Sequence, residues 1–112
     1  MSEAVSLFHD LRNLHHMCEA LEGAAAVAQA LRNDNAAARI WGSAERIREK
    51  IACPIAPSWR SWYEREIAAG RAIAADDATF DRAWSEGRAM TVDAAVVFTL
   101  DSMKRVADRP AT

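Results

Sequence analysis

Four glycines, three prolines, two cysteines and one tyrosine are spread over 112 residues, and each scarcity excludes something. Proline stands only at 54, 57 and 110, and strand-favouring residues are few beside the alanines, which excludes a turn-rich β fold. Cys18 and Cys53 form no Cys-x-x-Cys pair, so they read as reduced cytoplasmic thiols, not as a disulfide framework. No apolar run approaches the ~18 residues of a membrane span. Met1 to Val5 has no basic stretch leading into an apolar core, so no secretory signal is expected. Charge of one sign is also missing: 14 Lys and Arg face 16 Asp and Glu, a net −2 that supplies no basic surface for nucleic acid. No Gly-x-x-x-x-Gly-Lys-Ser/Thr loop is present to cradle a phosphate. With 51% hydrophobic and 27% charged residues, the chain suits one folded domain with its own core.

What is present is helical and periodic. Arg39-Ile40-Trp41 and Arg82-Ala83-Trp84 share an Arg-x-Trp core, each with a small residue (Ala44, Gly87) three places on. Phe8 lies 33 residues before Trp41, the spacing of helical hairpins. A period of that size marks stacked two-helix units, none of which can bury its apolar face alone. Trp41 and Trp84 are therefore expected to be buried alike between helices. Gly23 and Gly42 are expected where helices approach closely, and Gly70 and Gly87 are compatible with packing or with exposed faces.

Six helices are expected. The first spans Glu3 to Leu11, with Val5, Leu7, Phe8 and Leu11 on its apolar side, and Arg12-Asn13 reads as a turn. The second runs from Leu14 to Leu31 with Leu14, Met17, Cys18, Leu21, Ala24, Ala25 and Ala28 at helical spacing. Asp34 or Asn35 can cap the third, at about 36 to 50, which turns Ile40, Trp41, Ala44 and Ile47 or Ile51 inward. Ala52 to Pro57 is an irregular connection. The fourth helix starts at Pro57, or later at the Ser61/Glu64 capping box, and carries Trp59, Trp62, Tyr63, Ile67 and Ile73. Asp76 and Asp77 cap a fifth helix and Thr91 a sixth. The organisation predicted is a single domain: a half hairpin at 1–13, hairpins at 14–52 and 57–88, and a C-terminal helix at 91–106.

Leu21, Ala24, Ala25 and Ala28, followed by Ala37, Trp41 and Ala44, resemble a tetratricopeptide-type hairpin in the placement of small residues and aromatic. Residues 14 to 101 also resemble the C-terminal sensor region of LuxR-type and related signal-transducing ATPase transcription regulators of bacteria. Ala20-Leu21-Glu22-Gly23, Trp41-Gly42-Ser43-Ala44-Glu45, Ile55-Ala56-Pro57 and Ala83-Trp84-Ser85-Glu86-Gly87-Arg88 carry that likeness. The resemblance implies antiparallel hairpins stacked in a right-handed, tetratricopeptide-like array. It also implies a concave binding surface lined by first helices, which here means Glu19, Glu22, Ala26 and Gln29.

The chemical constellations are sparse. His9, His15 and His16 are the only histidines, and His15 with Cys18 is the one i, i+3 pair of ligand type, without further ligands to complete a metal site. Cys53 has no local motif that would make its thiolate a nucleophile. Trp59, Trp62 and Tyr63 cluster after the proline-marked connection, either as core or as a partly exposed docking patch. The sequence thus leads to a cytoplasmic, all-α module that is not an enzyme and needs no cofactor. It is expected to bind a protein partner, to self-associate, or to transmit a regulatory signal, with no nucleic acid and no membrane. The second reading is a sensor holding a small-molecule effector between hairpins, against Trp59, Trp62 or Trp84.

Overall fold

The computed structural model describes residues 3–107, with side chains described at Asp10 and from Arg12 to Arg105. That span holds five helices and no strand: α1 Glu3–Ala30, α2 Asp34–Lys50, α3 Pro57–Ile73, α4 Asp77–Arg88 and α5 Val92–Ala107. The expected turn at Arg12-Asn13 does not form. One helix runs through it, which makes five helices in place of six, and the described part of the expected half hairpin is simply the opening of α1. Neither residue is a helix breaker, and interior Asn costs under ~1 kcal/mol relative to Ala. The apolar flank expected from Val5, Leu7, Phe8 and Leu11 lies outside the described side chains.

Local chemistry sets most helix ends. Asn33, one residue before the expected Asp34 or Asn35, caps α2 by accepting the Ala36 N–H at 3.4 Å. Asp76 caps α4 through the Thr79 N–H at 2.6 Å, and Thr91 Oγ1 accepts from Ala94 N at 3.1 Å at the start of α5. α3 starts at Pro57 with no side-chain cap, the earlier of its two expected starts. α1 and α2 end in left-handed residues, Arg32 at φ 65° and Ala52 at φ 52°. Each lets the next N–H reach back five residues: Asn33 to the Ala28 carbonyl at 2.9 Å and Cys53 to the Arg48 carbonyl at 3.0 Å. A non-glycine there costs ~1 kcal/mol, so surrounding contacts must hold it.

α2 is the central element, in contact with α1, α3, α4 and α5. The main core joins Cys18, Leu21, Ala25 and Ala28 of α1 to Ala37, Ile40, Trp41, Ala44 and Ile47 of α2. The alanines keep the α1–α2 seam thin, and Trp41, 0% exposed, fills the space towards α3. Trp84 does not match it. Its ring is only partly buried, against Phe80 at 5.7 Å, and its indole N–H donates to Glu45 at 3.2 Å. Matching Arg-x-Trp strings therefore have unlike surroundings.

Glycine explains the α2–α4 contact. A Cβ at Gly42 would collide with the backbone carbonyl of Trp84, and one at Gly87 with that of Arg39. The helices thus touch backbone to backbone, flanked by Arg39–Glu86 at 2.6 Å and Arg88–Glu49 at 2.7 Å. Gly70 of α3 sits against the side-chain oxygen of Gln29. Gly23, expected at a crossing, faces open space with nothing within 4 Å of a built Cβ.

Gly42→Ala and Gly87→Ala should each cost ~2–3 kcal/mol, because neither backbone can yield without parting the helices. Gly23→Ala should stabilise by up to ~1 kcal/mol through helix propensity alone. Urea melts of the three variants check both signs. The buried Cys18 thiol gives a pH prediction. Burial pushes it from 9.0 up to about 11, so its contribution is complete below 9.0 and lost as pH rises through about 11. Stability should fall across that window, and Cys18→Ala should flatten the fall in urea melts taken from pH 8 to 11.

Candidate functional site

α1 carries His15, Glu19, Glu22 and Gly23 at i, i+4, i+7 and i+8, one stripe along the helix. α2 ends beside that stripe with Arg48, and the Cys53–Ala56 connection crosses in front of it. α3 then adds Trp59 and Trp62 one turn apart. Together they enclose a cleft of about 380 Å³. A second cleft of about 510 Å³ lies against the same connection, lined by Tyr63, Glu64 and Arg60.

The floor of the first cleft is a buried ion pair. Arg48 donates to Glu22 through Nε at 2.7 Å and Nη2 at 2.9 Å, and through Nη1 to the Cys53 carbonyl at 3.0 Å. The side chains are only 10% and 7% exposed, and the hydrogen bond to Glu22 holds the guanidinium above its ordinary pKa. One guanidinium thus ties α1, the end of α2 and the connection together. With the Cys53 N–H already bonded to the Arg48 carbonyl, the cysteine backbone is fixed from both sides.

The wall is aromatic. Trp62 and Tyr63 pack edge-on against Trp41, with centroids 6.0 and 5.6 Å away, while Trp59 stands edge-on to Trp62 at 5.6 Å and remains 56% exposed. The cluster therefore divides: Trp62 and Tyr63 pack on the core, and Trp59 faces outward. Burial, reinforced by Glu45 and Glu22, pushes the Tyr63 hydroxyl far above its usual pKa, which keeps it protonated.

The first-helix set also divides. Glu19 is exposed and reaches His15 Nε2 at 3.2 Å and His16 Nδ1 at 3.5 Å. Glu22 is no surface acceptor but half of the buried pair. Gln29, expected on the same surface, is 6% exposed. It accepts the Trp41 indole N–H at 3.2 Å and donates to the Glu66 carbonyl at 2.6 Å, joining α1, α2 and α3. Ala26 packs against the core. Glu19 and Glu22 thus share a cleft with Trp59 and Trp62, whereas Gln29 belongs to the interior, half-buried Ala26 packs against the core, and Tyr63 belongs to the core and the neighbouring cleft.

Sequence reading joins His15 to Cys18; the fold separates them. Cys18 Sγ faces the Ala44 carbonyl at 3.9 Å, and His15 Nδ1 meets Cys53 Sγ at 3.2 Å. Cys53 and Glu19 take opposite nitrogens of one imidazole, so they do not converge on a point where an ion could sit. No group of three or more His, Cys, Asp or Glu side chains among the described residues could hold a metal. The Cys53–His15 contact escapes sequence reading because 38 residues separate its members. The only hint is the proline-marked connection after α2.

Glu22→Gln should cost ~3–5 kcal/mol, since it strands a buried guanidinium, while Glu22→Met with Arg48→Met should be better tolerated than either single change. Urea melts of the wild type, Glu22→Gln, the two single Met variants and the double Met variant test this. No protein-family model, curated protein or solved structure matches the chain.

Proposed function

We propose that this chain is a non-catalytic sensor module that binds a small, largely apolar effector in the cleft between α1 and α3. The supporting observation is Trp59, a large aromatic left 56% exposed where it lines the cleft beside Trp62. About 380 Å³ falls within the ~300–1,000 Å³ of small-molecule sites, and the lining joins apolar side chains to a few convergent polar groups. Of the two occupants left open by the sequence, protein partner or small effector, this enclosed shape supports the second. The tetratricopeptide-like stacking belongs to the same proposal, supported by the three-residue links after α1 and α3 and by the glycine contact of α2 with α4. So does the setting implied by resemblance, a cytoplasmic regulatory arm of a bacterial signal-transducing transcription regulator or a stand-alone relative. Among the described residues no helix is long and apolar enough to cross a membrane.

Gly23 makes the test clean, because it lines the cleft yet touches nothing. Anilinonaphthalene sulfonate, titrated into labelled protein and followed by backbone amide shifts, should saturate with shifts centred on Gly23, Ile55 and Trp59. Gly23→Leu should keep the fold and abolish these shifts, and Trp59→Ala should weaken binding about tenfold, the equivalent of ~1.4 kcal/mol. Shifts centred on the exposed Val97 and Leu100 of α5, or no saturation, would overturn the reading.

A further inference from the structure

The ordered side chains around Cys53 are not needed by a reversible binding site. Cys53 Sγ lies 3.2 Å from His15 Nδ1, and His15 Nε2 lies 3.2 Å from Glu19 Oε1. In the tautomer that carries its proton on Nε2, facing the Glu19 carboxylate, Nδ1 is the acceptor and the Cys53 thiol its donor. A thiol, a base within reach of its proton and a carboxylate that orients the base form the arrangement of an activated nucleophile. α1 supplies base and carboxylate, and the Arg48 contacts that hold the Cys53 backbone supply the aim. The sulfur is half-buried and lines the cleft together with Ile55, Trp59 and Trp62. Cys18 provides the contrast: fully buried, turned to a carbonyl and outside the cleft.

We infer that Cys53 is a covalent capture site for α,β-unsaturated carbonyl compounds carried on an apolar or aromatic body, with His15 as its general base. The inference rests on the cleft proposed above as the binding site. His15 Nδ1 takes the thiol proton, Sγ attacks the β-carbon, and the new S–C bond forms as the alkene π pair moves into the enolate. The proton held by His15 then goes to the α-carbon and restores the carbonyl. Nothing leaves, and no oxidant or reductant is consumed. An addition of this kind suits a sulfur that has no second thiol beside it for disulfide chemistry, since Cys18 is turned away from the cleft. The product is a stoichiometric thioether, the covalent record of an encounter and not a turnover. Glu19 is a positioning residue that holds the Nε2–H tautomer.

The test uses the intact chain, phenyl vinyl ketone and acrylamide, with adducts located by peptide mass mapping and every rate divided by that of N-acetylcysteine. Folded protein should take one adduct, at Cys53, with Cys18 unmodified and so reporting the fold. Cys53 should react at least about tenfold faster than in the guanidinium-unfolded chain, a modest share of the ~100-fold or more that general-base assistance gives in optimised sites. His15→Gln should lose that gain while Cys18 stays protected. Glu19→Gln should lose part of it and shift the His15 ring nitrogen resonances towards the other tautomer, which a merely structural carboxylate would not do. If His15→Gln exposes Cys18, the Glu19→Gln rates and resonances carry the test. Phenyl vinyl ketone should be favoured over acrylamide, and Trp59→Ala should erase the preference. A Cys53 rate equal to that of the unfolded chain, or one indifferent to His15 with Cys18 protected, overturns the capture site while leaving sulfonate binding untouched. Equal normalised rates for the two electrophiles, with His15 dependence intact, overturn the apolar cleft and the substrate class together.

Discussion

Everything in this fold is hung on the backbone contact between α2 and α4. Two helices can touch at that range only where one lacks a side chain, and Gly42 and Gly87 supply the gaps, each pressed on the carbonyl side of the other helix. The contact is short-range and permits no compromise: dispersion is gained over both backbones, and a single methylene on either would be lost into collision. Ion pairs of Arg39 with Glu86 and of Arg88 with Glu45 and Glu49 frame it. These groups are partly exposed and add little energy, but they fix the azimuth at which the helices meet.

The cleft follows from a contrast in side-chain size. On the α1 side of α2, alanines and Cys18 allow close approach; on the α3 side, Trp41, Trp62 and Tyr63 hold the helices apart. α3 is therefore seated on rings and on the amide of Gln29, and Gly70 is its one buried residue. Space opens wherever those rings stop, and the Ala52–Ala56 connection divides it into two clefts. The left-handed Ala52 turns the chain so that Cys53 meets His15. A strained residue at a helix end thus places the one chemically suggestive side chain of the connection.

The helical class was legible because its signals are local: alanine richness, helical spacing and capping side chains. Cys18, Leu21, Ala25 and Ala28 of the Leu14 to Ala28 pattern and the Ile40/Trp41/Ala44/Ile47 face are the core, with Leu14 and Met17 packed half-buried against it. Arg12-Asn13 misled because two polar residues without Gly or Pro weaken a helix but do not end it. Gly23 was misplaced and Gly87 left open because helix glycines look alike until the partner surface is known. The site was half legible. Trp59 and Trp62 drew attention by composition, and Glu19 and Glu22 through a family resemblance. Whether Glu22 meets water or Arg48 depends on a contact across 26 residues, and the Cys53–His15 pair on one across 38, and no local pattern encodes either.

A rigid α1–α2–α4 frame carries a more weakly seated α3, whose rings wall the cleft. Native-state hydrogen exchange at increasing urea measures this most directly. Amides of α2 around Ile40 to Ala44 should exchange only by global unfolding, while those of α3 around Trp62 to Ile67 should exchange through a smaller opening with a lower free energy and weaker urea dependence. If α2 and α3 exchange with the same free energy and the same urea dependence, the molecule opens as one unit, and the account of a cleft walled by a separately seated helix is wrong.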